Sequence, residues 1–261
     1  MYKKVLTIFL TVILFIAAVF LGGATVFRVD DVALVATVVS KQAKEEAEKL
    51  QEELLALYEK ESIFSVDESA LSKVLKDYPY VRVTGFEKVY PNKIVVTVLE
   101  EAESYAVTRA EGGFFLLGES GIVLDIRNTS ENRLDQKANV VLCGLTVTGK
   151  KGEALSGDDC WAAMFALCKE MDEKLGGIRG NVVSVQVLSR SPEIFFAVTM
   201  REGVKIYIED PANMTKEKAK EALDAYMALS NDQRMTGRLT VRMANEEVLV
   251  SYSAIDEFVG Q

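Results

Sequence analysis

The feature that most constrains the fold is an uncharged apolar run from Val5 to Gly23, whose only polar side chains are Thr7 and Thr11. At about 1.5 Å per residue, a helix over this run would be about 28 Å long, close to the ~30 Å hydrocarbon core of a bilayer. We therefore predict a cytoplasmic tail at residues 1–4 and a transmembrane anchor at residues 5–23. The anchor would contact membrane lipid directly.

The charges that flank the run predict its orientation. Lys3 and Lys4 precede it, and Asp30 and Asp31 follow it. Positive residues favour the cytoplasmic side, so the bulk of the chain is expected outside the cytoplasm, as in a single-pass type II protein of the cell membrane. All 39 acidic residues follow the run, whereas two of the 30 basic residues precede it, so the outer part carries a net charge of −11.

A cleaved signal peptide is the alternative interpretation of the same run. Gly22 and Ala24 are small residues at a spacing that a signal peptidase accepts. The run is longer than the roughly 7–15 apolar residues of a signal peptide, which favours the anchor. Both interpretations export the rest of the chain, and the N-terminal sequence of the mature protein distinguishes them.

Composition excludes several kinds of catalytic site. The 261 residues include no histidine, so a Ser-His-Asp triad, a Cys-His pair and a His-ligated zinc or haem site are impossible. The acidic net charge of −9 argues against nucleic acid as a partner. Gly149 to Gly152 lacks the spacing of a phosphate-binding loop. Carboxylate, Ser-Lys and cysteine chemistry remain open, and no motif predicts a cofactor or a metal site.

The exported chain is expected to be α+β and to form two modules. The first, residues 24–102, has the order strand, helix, helix, strand, strand, with Ser40 and Asp67 at the helix starts. A sheet with both helices on one face would bury the apolar residues of all five elements. The predicted elements span residues 26–39, 40–60, 68–77, 81–90 and 93–101.

The predicted helix of residues 40–60 is heavily charged but has one apolar stripe. The stripe consists of Ala43, Ala47, Leu50, Leu54 and Leu57, at helical spacing. It can pack on the sheet of its own module or form a short coiled-coil seam with a partner. The stripe is shorter than the three or four heptads typical of a coiled coil, which favours the first use.

The second module, residues 103–253, is predicted to be a mixed β-sheet domain with flanking helices, followed by a C-terminal tail at residues 254–261. Gly112-Gly113 and Gly118 to Gly121 indicate turns between short strands. The predicted helices span residues 158–174 and 215–229. The predicted strands span residues 105–108, 114–117, 122–126, 182–188, 194–200, 204–208, 239–243 and 248–252.

Several segments together resemble the FtsQ/DivIB family of bacterial cell-division proteins. Ile63 to Asp67 and Tyr78 to Val81 are similar to the family's POTRA domain, and Tyr90 to Glu100 is similar to the end of that domain. Phe114 to Leu124 resembles the opening of the family's β domain. Val204 to Ile208, with the helix that follows, resembles the end of that domain.

This resemblance implies a non-catalytic scaffold at the division septum. Such proteins bind FtsL-like and FtsB/DivIC-like proteins, which are single-pass coiled-coil partners, and help to regulate septal peptidoglycan synthesis. The resemblance also implies that the last strand of the β domain accepts a partner strand. The matching residues here are Val248, Leu249, Val250, Ser251 and Tyr252. An ordinary core strand is the alternative.

Two other function classes remain open at this point. A POTRA module can handle unfolded polypeptides in translocation or assembly, although such proteins usually contain several POTRA units or a membrane barrel. A membrane-anchored Ser-Lys hydrolase of the signal-peptidase type needs no histidine, but its nucleophile lies in a Ser-Met-x-Pro motif. Here Ser191 is followed by Pro192, and no serine precedes a methionine.

Overall fold

The computed structural model describes residues 11–13, 26–59, 61–132 and 138–256. The predicted anchor of residues 5–23 lies outside the described residues apart from residues 11–13, and so does the tail of residues 1–4. Across the described parts of the chain, no helix is both long enough and apolar enough to cross a bilayer. The fold is mixed α+β, and the chain divides into two compact units, residues 1–101 and 102–261.

The first unit contains a three-stranded sheet and two helical segments in the expected chain order. The sheet order is β1-β3-β2, with β1 parallel and β2 antiparallel to β3. A long helix, α1, follows β1, and a second helical segment of mixed 3-10 and α geometry precedes β2. These elements are β1 (Asp31–Thr37), α1 (Lys41–Tyr58), the segment Glu68–Asp77 with α2 (Leu71–Val74) at its centre, β2 (Val81–Val89) and β3 (Lys93–Glu100).

The apolar stripe of α1 is used inside this unit. Its residues Ala43, Ala47, Leu50 and Leu54 are buried, and α1 packs on β1, β2 and α2. Leu57 is half-buried, and the neighbouring Tyr58 is buried and donates its hydroxyl hydrogen to Asp67 O. The structure therefore favours packing within the unit over a coiled-coil seam.

A local capping signal places the start of α1. The Ser40 hydroxyl accepts the Ala43 N–H at 3.1 Å, as its position before the apolar stripe predicts. Glu46, buried on the inner face, accepts the Tyr80 N–H at 2.8 Å. A buried carboxylate needs such donors, since burial without them is costly. This bond ties α1 to the chain just before β2.

The second unit contains a nine-stranded mixed sheet whose order is β14-β13-β12-β11-β10-β7-β4-β5-β6, and a separate pair of short strands, β8 and β9. Parallel pairs are β4 with β7, β7 with β10, and β12 with β13. The strands are β4 (Glu103–Thr108), β5 (Phe114–Gly118), β6 (Val123–Arg127), β7 (Val140–Cys143), β8 (Val147–Thr148), β9 (Ser156–Gly157), β10 (Val182–Arg190), β11 (Glu193–Met200), β12 (Lys205–Glu209), β13 (Arg238–Ala244) and β14 (Glu247–Ser253).

The helices α3 (Asp159–Leu175) and α4 (Thr215–Ala228) contribute to one hydrophobic core with the sheet. Asp158 caps α3 by accepting the Trp161 N–H at 3.1 Å, and Gly176, with φ of 64°, ends it in the left-handed region. A third helix, α5 (Asn231–Met235), follows α4. The core includes Met164, Leu167, Phe196, Ile206, Leu223 and Val241.

Several elements differ from the sequence expectation. The first strand begins at Asp31 rather than at residue 26, because Arg28 and Val29 instead pair with the turn at Glu61 and Ser62. The strands β7, β8 and β9 and the helix α5 were not predicted, since elements of two to five residues are too short for periodicity to identify. β7 nevertheless lies inside the large sheet, between β4 and β10.

One buried lysine ties α4 to the end of β12. Lys218 has no exposed surface, and its Nζ donates to Glu209 O at 2.8 Å and to Asp210 O at 2.6 Å. Burial lowers the pKa of Lys218, while the charges of Asp210 and Glu209 oppose that shift. The ammonium group thus caps the carbonyls at which the strand ends.

The substitution Lys218→Met tests this capping role. It leaves two backbone carbonyls without their donor, so we expect the free energy of unfolding to fall by about 2–4 kcal/mol. Lys216→Met is the matched control, because Lys216 is 75% exposed and only pairs with Glu170 at 3.3 Å. The control should change stability by less than about 1 kcal/mol. Denaturant titration of both variants gives the comparison, and equal small changes would contradict the role.

Candidate functional site

The five residues predicted to bind a partner strand lie together in β14, the outermost strand at one edge of the nine-stranded sheet. Val248 to Tyr252 form the centre of this strand, which pairs with β13 on one side. On its other side, the described residues provide no neighbouring strand. β14 is therefore an edge strand rather than a central one.

The β13–β14 hairpin has a tight turn and an unbroken register. Asn245 and Glu246 form the two-residue loop, with φ of 52° and 67°. Positive φ at both loop residues is the pattern of a type I′ turn, whose twist matches that of the flanking strands. The strands then pair over seven consecutive residues, from Ala244 with Glu247 to Arg238 with Ser253, with no bulge.

The register determines which backbone groups of β14 face the free edge. In a two-residue hairpin the residues that flank the loop exchange both hydrogen bonds, and bonded pairs then alternate along the ladder. Glu247, Leu249 and Ser251 accordingly bond to β13. The Lys205 N–H donates to Gly237 O at 3.2 Å. The backbone groups of odd-numbered residues in and just before β13 therefore face β12, and those of even-numbered residues face β14, which agrees with this assignment.

The backbone N–H and C=O groups of Val248, Val250 and Tyr252 consequently point away from β13. Their side chains pack against the core of the second unit, as partly buried hydrophobic residues. Leu249 and Ser251 are exposed on the opposite face. The edge thus combines outward hydrogen-bonding groups with an apolar face beneath them.

The opposite edge of the same sheet is covered at its start. Val123 of β6 donates its N–H to Glu153 O at 2.9 Å and accepts the Gly152 N–H at 2.8 Å. Ile122 also forms a bridge with Ala154. The loop of residues 152–154 therefore occupies the pairing groups at the beginning of β6, and nothing in the described chain does the same for β14.

Edge strands usually carry features that block pairing with other chains, such as lysines, prolines or bulges. From Val248 to Ser253, β14 has no charged residue, no proline and no bulge. In the first unit, by contrast, the edge strand β2 has a register shift between Val83 and Gly85 and carries the charged residues Arg82, Glu87 and Lys88. β14 is therefore well suited to accept an extended segment.

The segment after β14 is fastened back onto the sheet. Asp256 accepts hydrogen bonds from Lys205 Nζ at 2.6 Å and from Tyr207 Oη at 3.0 Å, both on β12. The chain at the end of β14 passes close to Gly237, whose φ is 80° and where a Cβ would lie 2.2 Å from Ser253 O. This close approach requires glycine at position 237. We call these three side chains, Lys205, Tyr207 and Asp256, the tail clasp.

The tail clasp was not anticipated from the sequence. About fifty residues separate Asp256 from Lys205 and Tyr207, and no motif connects them. The one local signal is Gly237, a glycine just before a strong strand pattern, which often marks a close backbone approach. The clasp holds the C-terminal end of β14 against the sheet.

The three cysteines do not form a nucleophilic site. Burial raises the pKa of Cys168 to about 12, and it also raises the pKa values of Cys143 and Cys160. Their thiols therefore stay protonated at neutral pH, whereas a reactive cysteine needs a lowered pKa. Among the residues described, no cluster of acidic or cysteine side chains is arranged to hold a metal ion.

Comparison with known families identifies one domain. Residues 37–101 match the family model described as "POTRA domain, FtsQ-type". The match begins at the end of β1 and covers α1, α2, β2 and β3. No curated protein matches the chain.

The tail clasp predicts a stability change at alkaline pH. Burial, and then the hydrogen bond to Asp256, raise the pKa of Tyr207 to about 12. The pKa of tyrosine in an unfolded chain is about 10. The neutral phenol thus stabilises the fold fully below pH ~10, and this contribution is lost as the pH rises towards ~12.

Tyr207→Phe should reduce the alkaline loss of stability, because phenylalanine cannot ionise. Denaturant titrations of the wild type and the variant, below pH ~10 and near pH ~12, measure the difference. Tyr226→Phe is a useful comparison, since burial and the hydrogen bond to Glu202 also raise the pKa of Tyr226 to about 12, away from the clasp. An unchanged pH profile in Tyr207→Phe would contradict the clasp.

Proposed function

The chain carries an FtsQ-type POTRA domain, which supports its membership of the FtsQ/DivIB family, and on this premise we propose that it is a cell-division scaffold that binds partners by strand addition. The partners would be FtsL-like and FtsB/DivIC-like proteins. Through them the scaffold would help to regulate septal peptidoglycan synthesis. The observation that carries the proposal is the open, unblocked edge of β14.

The geometry of β14 supports binding through the backbone. Val248, Val250 and Tyr252 each present one N–H and one C=O to an incoming strand. At about 0.5–1.5 kcal/mol net per hydrogen bond, several such bonds give a useful affinity without requiring a particular partner sequence. Specificity would come from alternate side chains of the partner, which lie above the two faces of the sheet.

The side chains of β14 indicate what such a partner should look like. Val248, Val250 and Tyr252 are only partly buried, so apolar partner residues on the same face would remove more of their surface from water. The opposite face, at Leu249 and Ser251, is exposed and accepts polar residues. We therefore expect a partner segment that alternates between apolar and polar residues.

The apolar run and the family resemblance together support the proposed location of the scaffold. A membrane anchor at residues 5–23 would hold both units outside the cytoplasm, at the division septum. Single-pass partners in the same membrane would then meet β14 at a raised effective concentration, because anchoring confines all of them to one surface. Binding energy from strand addition can therefore be modest.

The substitution Val250→Pro tests strand addition directly. Proline removes the N–H at an outward-facing position, while the bonds from Leu249 and Ser251 to β13 remain. The loss of one hydrogen bond of about 1 kcal/mol, with steric conflict from the ring, should weaken partner binding about tenfold or more. Affinity for an FtsB/DivIC-like partner, measured by pull-down or titration calorimetry, gives the result.

Val250→Ala is the matched control, since it shortens the side chain but keeps the N–H. It should retain most of the affinity, and thermal unfolding of both variants shows whether the fold is intact. If Val250→Pro folds normally and binds as well as Val250→Ala, strand addition at β14 is wrong. The family assignment would stand, because it rests on residues 37–101.

A cellular experiment tests the scaffold role itself. A tagged full-length copy should gather at the septum, and depletion should give filamentous cells with normal protein secretion. Impaired secretion with normal septation would instead support a polypeptide-handling POTRA module.

A further inference from the structure

Three aromatic side chains, two of them exposed, form a row at one end of the first unit. The ring centroids of Phe27 and Phe64 are 5.0 Å apart, and those of Phe64 and Tyr90 are 5.6 Å apart. Phe64 is 62% exposed and Tyr90 is 58% exposed, although the core of the unit contains many smaller apolar residues that are fully buried. Val26 and Val89, the sequence neighbours of Phe27 and Tyr90, are also exposed. We call Phe27, Phe64 and Tyr90 the aromatic row.

The aromatic row is held by backbone bonds between three separate segments. The Ile63 N–H donates to Phe27 O at 2.8 Å, and the Val29 N–H donates to Glu61 O at 2.9 Å. On the other side, the Asp30 N–H donates to Asn92 O at 3.1 Å. The row is therefore a preorganised feature of the fold and not a set of loose loop residues.

The position of the row along the chain indicates what covers it. Phe27 is four residues beyond Gly23, where the apolar run ends. At about 3.5 Å per residue, four residues reach at most about 14 Å. The headgroup layer on each side of a bilayer is several ångströms thick, since the whole bilayer measures ~40–45 Å around a ~30 Å core. A membrane-anchored chain therefore keeps Phe27 at or just above the headgroups.

The chemistry of the row fits the membrane interface. Aromatic side chains concentrate at the headgroup level, where an apolar ring and a polar tip can both be satisfied. Two acidic residues near the row have partners: Asp31 pairs with Lys93 at 2.7 Å, and Asp30 accepts a hydrogen bond from the Asn92 amide at 2.7 Å. The exported part of the chain is acidic overall, so bulk charge would not draw it to an anionic surface.

We propose that Phe27, Phe64 and Tyr90 contact the lipid headgroup layer and hold the first unit against it. We call this contact the seat. The contact would restrain the tilt of this unit against the bilayer. This inference depends on the membrane anchor in the proposed function, but not on partner binding at β14.

Lipid quenching of tryptophan tests the contact in the full-length protein. Phe64→Trp and Tyr90→Trp each place a reporter in the row, at an exposed position that tolerates a larger ring. The natural Trp161 is buried in the second unit and supplies a constant background, measured with the wild type. The proteins are reconstituted into vesicles of phosphatidylcholine, either unmodified or brominated on the acyl chain near the headgroup.

Val39→Trp is the matched control. Val39 is an apolar residue of the same unit, is 81% exposed, and lies beyond the far end of β1. The seven residues of β1 alone separate its ends by about 20 Å. We expect brominated lipid to quench most of the emission added at positions 64 and 90, with a shift to shorter wavelength. The emission added at position 39 should be unaffected.

The outcomes separate this inference from the proposed function. Equal, weak quenching at positions 64 and 39 in protein that floats with the vesicles overturns the seat but leaves the anchor. A shift to shorter wavelength at position 64 that grows with protein concentration, without quenching, shows that a second copy covers the row and also overturns the seat. Full-length protein that does not float with the vesicles overturns both the anchor and the seat.

Discussion

The unbroken ladder between β13 and β14 is the constraint on which the candidate site depends. Seven consecutive pairs fix the register, and the register alone decides that Val248, Val250 and Tyr252 turn their backbone groups outward. A single bulge would reverse this assignment beyond the bulge and twist the edge away from a partner. The two-residue turn at Asn245 and Glu246 starts the ladder in the correct phase.

Other contacts keep this edge in place. The tail clasp fastens the chain after β14 to β12, and Lys218 caps the end of β12 from within α4. Both contacts act on β12, which is bonded to β13, so they support the ladder from the side opposite the free edge. The open side of β14 has no neighbouring strand among the described residues. The supporting interactions therefore lie on β12 and at the C-terminal end of β14.

Much of the fold was predictable because its signals are local. Ser40, Asp67 and Asp158 begin helices where the sequence predicts, and Gly176 ends one, since caps depend only on residues within a turn. The hairpin at β13 and β14 follows from alternating apolar residues around a short polar turn. β7 was missed because its four residues carry too little pattern, and its identity as a strand comes from pairing with β4 and β10 on either side.

The sequence by itself determined the apolar run, the absence of histidine, the order of the elements in the first unit and the domain family of residues 37–101, because each of these is written in neighbouring residues or in composition. Only the tertiary structure decided that β14 is an edge strand whose alternate amides face away from β13, that Asp256 reaches Lys205 and Tyr207, and that Phe27, Phe64 and Tyr90 form one row. These features join residues far apart in the chain. Their contacts follow from sheet order and packing, which no local pattern records.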